Sequence, residues 1–245
     1  MGRAPTRVHV DAELQTGLRL NVEGSAGNHI ARVLRLRAGD ALTLFNGQGG
    51  EYAGSIEEIH RDTVVVSVLE RREVDRESPY QLTLAQGISR GERMDWVVQK
   101  ATELGVWRIA PIFTERSVVQ LDEKQASRKI QHWRSIAIAA CEQSGRNRVP
   151  EIAQPVGLYE LLENRSSGGT ALLLSPGAPL RIADIANAGA DTTVLIGPEG
   201  GLADIEQEAA VKSGFTPVRL GPRVLRTETA AVCALTLLQQ KFGDL

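Results

Sequence analysis

The sequence predicts an α/β protein in two parts: a small β-rich unit, then a larger domain of alternating strands and helices around a mostly parallel sheet. Three observations carry this. β-Branched and alternating runs flank a Gly-rich turn before residue 70. Arg71 to Pro79 is polar and charged and ends in Ser-Pro, the composition of a linker. From Tyr80 onward, short apolar strands alternate with segments of helical spacing.

In the first part, Leu42-Thr-Leu-Phe45, the turn Asn46-Gly-Gln-Gly-Gly50 and Glu51-Tyr-Ala-Gly-Ser-Ile56 read as strand, turn and strand. Thr63 to Leu69 is a further β-branched strand. Between Asn28 and Arg37, Ile30, Val33 and Leu34 recur at helical spacing and predict one short helix, with a turn at Gly39-Asp40. In the second part Leu82 to Ala85 is a strand. Met94, Val97, Val98, Ala101 and Leu104 mark a helix closed by Gly105. Val106 to Phe113 is a strand, and Ile130, Trp133, Ile136, Ala137 and Ala140 mark a second helix. Ala171 to Ser175, Val194 to Gly197 and Pro217 to Gly221 are strands. Asp204-Ile-Glu-Gln207 resembles a capping box opening a helix. Glu228 to Phe242 is an amphipathic helix whose Ala230, Ala231 and Ala234 allow close packing.

The bulk composition narrows the class. The 245 residues suit one large domain or two small ones. Hydrophobic residues at 42% and charged residues at 24% are globular proportions, not those of a disordered chain. The longest apolar runs, such as Ala171 to Leu174, are too short to cross a bilayer, so no membrane partner is expected. Met1-Gly-Arg-Ala-Pro-Thr-Arg7 has no apolar stretch behind it and reads as no secretory leader. Cys141 and Cys233 lack metal spacing and read as two buried thiols of a cytoplasmic protein. His9, His29, His60 and His132 are scattered, so no metal site is expected. Net charge is −2, yet Arg128 to Arg148 carries five cations against the single acid Glu142, a local patch suited to phosphate. Lys occurs only at 100, 124, 129, 212 and 241; every other cation is Arg, whose planar fork matches phosphate and base edges.

Three loops follow three predicted strands: Ser175-Pro-Gly177, Gly197-Pro-Glu-Gly-Gly201 and Gly221-Pro-Arg-Val-Leu-Arg-Thr-Glu-Thr-Ala230. Ligands of open α/β sheets bind beyond the carboxyl ends of strands. Gly at such points admits close approach and Pro stiffens the loop, which predicts a small-molecule pocket read by backbone groups. The dinucleotide fingerprint is missing, which counts against such a pocket: Gly47-Gln-Gly49 has Tyr52 in place of the last Gly and lies between strands. Thr227 and Glu228 have a plain alternative as helix-capping residues, whereas capping gives Arg226 no role.

Ile196-Gly-Pro-Glu-Gly-Gly-Leu202 with Leu220-Gly-Pro-Arg-Val-Leu-Arg-Thr-Glu-Thr-Ala230 resembles the cofactor loops of SPOUT methyltransferases. Lys100-Ala-Thr-Glu-Leu-Gly-Val106, Glu115-Arg-Ser117, Cys141-Glu-Gln-Ser-Gly-Arg146 with Pro150, and His29-Ile-Ala-Arg-Val-Leu-Arg35 with Gly39-Asp40 are similar to the RsmE family, bacterial enzymes that methylate uridine N3 in small-subunit ribosomal RNA. The similarity spans nearly the whole chain. Ala203 departs from the capping Ser or Thr common in the family, and Pro222-Arg223 falls at a variable place. The resemblance implies a PUA-like RNA-binding β-barrel over 1–72 and a SPOUT α/β domain with a C-terminal trefoil knot over 73–245. It also implies a homodimer and S-adenosylmethionine as cofactor. On this sequence the cofactor would be held by Leu174, Ser175 and Pro176, by Ile196, Gly197, Pro198, Glu199, Gly200 and Gly201, and by Leu220, Gly221, Val224, Leu225, Arg226 and Thr229.

The implied reaction moves a methyl group directly from sulfur to nitrogen and needs no covalent enzyme intermediate. Arg226 is expected to stabilise the charge that develops as N3 loses its proton, and Glu228 or a water to accept that proton. With aromatics at 4%, RNA recognition is expected to rest on Arg contacts and shape rather than stacking. The expected contacts are His29, Arg32, Arg35, Arg90, Arg116, Arg146 and Arg148. The partner would be naked small-subunit RNA or the assembled subunit. Competing readings are a SPOUT enzyme for another RNA, a non-catalytic assembly factor that binds ribosomal RNA, and, more distantly, a nucleotide-dependent oxidoreductase.

Overall fold

The computed structural model describes residues 6–61, 63–117, 121–165, 168–189 and 191–245; Met1 to Pro5, on which the absence of a leader was partly read, lie outside them. The chain divides into two compact units, one of residues up to Glu77 with Cys141–Val149, the other of Ser78–Ala140 with Pro150–Leu245.

The first unit is a five-stranded mixed sheet. Its strands are β1 (Thr6–His9), β2 (Arg19–Val22), β3 (Ala41–Phe45), β4 (Glu51–Ile59) and β5 (Val64–Arg72), in the order β1-β3-β4-β5-β2. β1 pairs β3 in parallel and the other pairs are antiparallel. Among the described residues no ladder joins β1 to β2. Val8 of β1 and Val22 of β2 nevertheless share one apolar core with Leu42, Leu44, Ile56 and Val66. The Gly-rich turn and the strands around it match the sequence reading. β1 and β2 were not foreseen, being four-residue edge segments with little alternation.

The predicted helix over 28–37 differs. It begins as α1 (Gly24–Asn28), continues as a π-helical turn over His29–Val33, and ends there. The Asp40 carboxylate takes the Arg37 N–H at 2.7 Å, and Asp40 N–H bonds Arg37 O at 3.0 Å, so a local turn competes with helix continuation. Arg35 is left at φ +54°, the one non-Gly residue with positive φ among those described.

Residues 73–79 are not a free linker. Glu77, whose side chain is only 9% exposed, accepts Nε and Nη2 of Arg146 at 3.0 and 2.6 Å. Its other oxygen receives the N–H groups of Asn147 and Arg148. Asn147 Nδ2 donates to Val74 O at 2.7 Å, and Arg7 pairs with Glu51 while donating to Arg146 O. Burial alone would raise the Glu51 carboxyl, but Arg7 and Arg76 beside it hold it below the usual carboxylate range. This network fastens residues 141–149 to the sheet. It also corrects the expectation that Arg146 touches RNA: the residue is 4% exposed and its fork is committed to Glu77.

The second unit is built on a parallel sheet. After β6 (Gln81–Gly87) come α2 (Glu92–Glu103), β7 (Arg108–Phe113), α3 (Glu123–Ser144) and the two-residue strands β8 (Glu151–Ile152) and β9 (Val156–Gly157). The last residues of α3 belong to the first unit. Then follow α4 (Leu158–Asn164), β10 (Thr170–Leu174), β11 (Leu180–Arg181), β12 (Asp191–Ile196), α5 (Asp204–Lys212), β13 (Thr216–Arg219) and α6 (Thr227–Phe242). The strand order is β11-β13-β10-β12-β6-β7-β8, with β9 beside β7 and every pair parallel. The long elements agree with the sequence reading; α4 and the two-residue strands escaped it because they span too few residues for a period.

Helix ends follow from local chemistry. Gly105 at φ +77° closes α2, and the buried amide of Gln239 on α6 donates to Leu104 O and Gly105 O. The start of α5 lies one residue earlier than expected: Ala203 is the N-cap, and Glu206, not Gln207, reaches back to the Ala203 N–H at 2.8 Å. Ala203 has no side-chain acceptor, so this is half a capping box. Of the two thiols, Cys141 is buried but Cys233 is only partly so.

Truncating Arg146 strands the Glu77 carboxylate. Arg146→Ala is expected to lose about 3–5 kcal/mol of stability, read from urea unfolding midpoints. A change within experimental error would show that the ion pair does not hold residues 141–149.

Candidate active site

Because β13, β10, β12 and β6 are adjacent and parallel, their carboxyl ends share one edge of the sheet. The three Gly/Pro loops leave from that edge and enclose a cavity of about 690 Å³, within the range of small-molecule sites.

The loop after β12 is the tightest. Gly201 N–H bonds Pro198 O at 2.9 Å, and a Cβ on Gly197 would lie 2.8 Å from the carbonyl carbon of Gly201. Only Gly fits there. Arg93 Nη1 donates to Glu199 at 2.6 Å and the Arg90 N–H to the same oxygen at 3.0 Å. Burial would raise the Glu199 carboxyl; its own backbone N–H, Arg93 and the Arg90 N–H together hold it below the ordinary range. Arg116 Nη1 donates to Gly200 O at 3.2 Å. On the β10 side, Ser175 Oγ donates to Gln207 Oε1 at 3.1 Å.

The third loop runs into α6. Arg226 is the N-cap, with extended backbone at φ −62° and ψ 150°. Its guanidinium is exposed and has no hydrogen bond or ion pair among the described residues. Thr227 does not cap the helix: its hydroxyl donates to Gly197 O at 2.7 Å. Glu228, in the first turn of α6, lines the cavity, and its Oε2 is buried without a partner among the described residues. A buried carboxylate oxygen left unbonded is costly unless a ligand or water completes it.

Of the residues singled out from the loops, Leu174, Ser175, Pro176, Ile196, Gly197, Pro198, Glu199, Gly200, Gly201, Leu220, Gly221, Val224, Leu225, Arg226 and Glu228 all line this cavity. Thr229 does not. It stands about 200° around the helix from Thr227 and is exposed. Among the expected RNA contacts Arg116 also lines the cavity, while Arg90 is exposed beside the Glu199 loop. In the first unit Arg32, Arg35 and Arg148 are exposed and His29 is partly buried.

Sequence reasoning missed Arg93, Leu202, Gln207 and Arg219 as lining residues, and did not name Arg223, Thr227 and Ala230 of the third loop among the cofactor contacts. Leu202 and Arg223 lie next to loop residues already chosen, so loop continuity was a usable signal. Arg93 and Gln207 sit on helices, and nothing in their spacing announces a pocket.

Cysteine chemistry does not belong to the cavity. Neither thiol lines it, and burial pushes the Cys141 thiol up to about 12.

Comparison with known proteins agrees with this geometry. Residues 76–239 match the RNA methyltransferase domain family and residues 22–69 the RNA methyltransferase PUA domain family. The chain is 36% identical over 239 residues to ribosomal RNA small subunit methyltransferase E of Buchnera aphidicola subsp. Schizaphis graminum, covering 98% of this chain and 97% of that one. It is 31% identical over 234 residues to the protein of the same name from Bacillus subtilis, covering 92% and 91%. A methyltransferase of Legionella pneumophila solved with its bound cofactor SAM superposes with a TM-score of 0.96 at 43% identity, covering 99% and 100% of the two chains. Ribosomal RNA small subunit methyltransferase E of Neisseria gonorrhoeae, solved with S-adenosyl methionine, gives 0.92 at 35% identity, covering 98% and 99%. With a PUA-type first unit, an α/β methyltransferase second unit and similarity along nearly its whole length, the chain belongs to the ribosomal RNA small subunit methyltransferase E family.

Proposed function

We propose that this protein transfers the methyl group of S-adenosylmethionine to N3 of a uridine in small-subunit ribosomal RNA. The observation that carries the reading is the pair at the start of α6: an Arg226 guanidinium and a partly buried Glu228 oxygen, each without a partner among the described residues and both residues lining one cavity.

The residues present fit the cofactor. The cavity is large enough, three loops offer backbone donors and acceptors, and Glu228 Oε2 is an acceptor awaiting a donor. The Legionella and Neisseria neighbours carry the same molecule. The loops at 174–176, 196–201 and 220–226 would hold it, and it supplies an electrophilic methyl group on a sulfonium sulfur.

The protein must orient uridine N3 and help it lose its proton. As the proton leaves N3, negative charge spreads onto the flanking carbonyl oxygens, and Arg226 stabilises it there. Glu228 or a water takes the proton. N3 then bonds to the methyl carbon, the carbon–sulfur bond breaks, and its electrons stay on sulfur. Thiol-dependent methylation of a pyrimidine carbon is disfavoured, since neither Cys lines the cavity. N3 lies on the pairing edge, so the target uridine must be unpaired or extruded.

Exposed Arg32, Arg35, Arg90 and Arg148, with His29 and Arg116, are proposed to contact the RNA, and the PUA-type unit supports RNA as partner. The trefoil knot, the homodimer, the division at residues 72/73 and a cytoplasmic location are part of this proposal through the family. Among the described residues no helix is long and apolar enough to cross a membrane.

The deciding assay is methyl transfer from labelled cofactor to small subunits lacking their native methylations, with reverse transcription to locate the product. One strong polymerase stop near the 3′ end of the small-subunit RNA is expected. Label confined to transfer RNA would move the activity to another substrate, and no label beside an active control enzyme would favour a non-catalytic assembly role. Arg226→Ala is expected to lower kcat roughly 10²–10³-fold, the scale of losing one charge-stabilising donor. Near-normal turnover in that variant would remove Arg226 from the mechanism. The logarithm of RNA affinity is expected to fall linearly with the logarithm of salt concentration, and Arg35→Ala to reduce that slope by about one. A slope near zero would rule out an arginine–phosphate interface.

A further inference from the structure

Gln86 is an amide near the end of an apolar strand. It is the penultimate residue of β6, its neighbours Leu82, Leu84 and Ala85 are core residues, and it is itself 0% exposed. An amide in that position is costly unless its bonds are made inside the protein, and here the Nε2 half makes them while Oε1 is buried without a partner among the described residues. Its Nε2 donates to Thr227 Oγ1 at 2.9 Å and to Gly87 O at 3.1 Å, with Gly197 O at 3.4 Å. The Thr227 hydroxyl, 7% exposed, accepts from Gln86 and donates to Gly197 O. The direction of the relay is set, because the carbonyl oxygens accept only.

The relay joins the end of β6, the loop after β12 and the first residue of α6. The backbones approach closely there: a Cβ on Gly87 would lie 2.4 Å from Pro198 N. Arg226 and Glu228 are the residues on either side of Thr227. Moving Thr227 therefore moves both, and α6 has no side-chain cap at its N-terminus to hold the turn otherwise.

We infer that Gln86 and Thr227 are positioning residues, which lock the first turn of α6 to the Gly197 carbonyl and so fix Arg226 and Glu228 against the cavity. The inference rests on the reading of Arg226 as the charge-stabilising group. Neither residue needs to touch the substrate. Their contribution is angular, and displacement of a reacting group by about 1 Å can cost on the order of 10²-fold in rate.

The test compares Thr227→Val, which keeps the shape and removes the hydroxyl, with Thr227→Ser, which restores it. Steady-state methylation of small subunits and calorimetric binding of S-adenosylmethionine are measured on each. Thr227→Val is expected to lower kcat roughly 10–100-fold with cofactor Kd little changed, and Thr227→Ser to recover most of the loss. In an Arg226→Ala background, Thr227→Val should cost less than in the unsubstituted protein, because one of the two groups it positions is already gone. Gln86→Met, which fills the space without donors, should repeat the Thr227→Val pattern and serves if the Val variant does not fold. Wild-type turnover in Thr227→Val, equal losses in Val and Ser, a defect confined to cofactor affinity, or full additivity with Arg226→Ala would each overturn the inference. Absence of methyl transfer by the unsubstituted protein would instead reject the proposed function from which it starts.

Discussion

The carbonyl oxygen of Gly197 is the point on which the site depends. It accepts the Thr227 hydroxyl at 2.7 Å and lies within reach of the Gln86 amide, so a loop, a strand end and a helix start meet at one acceptor. The meeting is possible because side chains are absent where the backbones touch, at Gly87 and Gly197. A methyl group at either position would collide with main-chain atoms that have no rotamer to change. Backbone contact at this range makes the cavity wall stiff. The neighbouring Arg93–Glu199 and Arg116–Gly200 contacts hold the same loop.

A second polar constraint works in the first unit, for a different end. Glu77, Arg146, Asn147, Arg7 and Glu51 form a largely buried network around residues 141–149. Buried pairs of this kind add little net stability over an apolar replacement, since desolvation offsets most of the attraction. Their effect is geometric: a bidentate Arg and two backbone N–H groups on one carboxylate permit few alternative registers. Arginine thus serves two purposes in this chain. Arg7, Arg93 and Arg146 are committed to protein carboxylates, whereas Arg226 keeps its guanidinium open beside the cavity.

Much of the fold was legible because the long elements have clear periods. The apolar spacing of α2 and α6, the Gly-bounded strands β10 and β12, and the turn at 46–50 each follow from a few residues and elementary backbone sterics. The three-loop cavity was legible for the same reason, since Gly and Pro at strand ends in a parallel sheet point to one edge. The misses have physical causes too. The helix over 28–37 was cut short by a side chain outside its apolar pattern, Asp40. The 71–79 stretch reads as a linker and the two units do divide within it, after Glu77, but its polarity could not reveal that Glu77 is paired and nearly buried.

The sequence by itself determined the fold class, the order of the long elements, the three loops and two polar residues that line the cavity, Arg226 and Glu228. These depend on local spacing and on residue type, which a linear string preserves. Tertiary structure alone decided which arginines are available and which are spent. It withdrew Arg146 into an ion pair, turned Thr229 away from the cavity, brought in Arg93 and Gln207 from separate helices, and set Gln86 against Thr227 across 141 residues of chain. Burial and partnership are relations between distant residues, and only the packed chain assigns them.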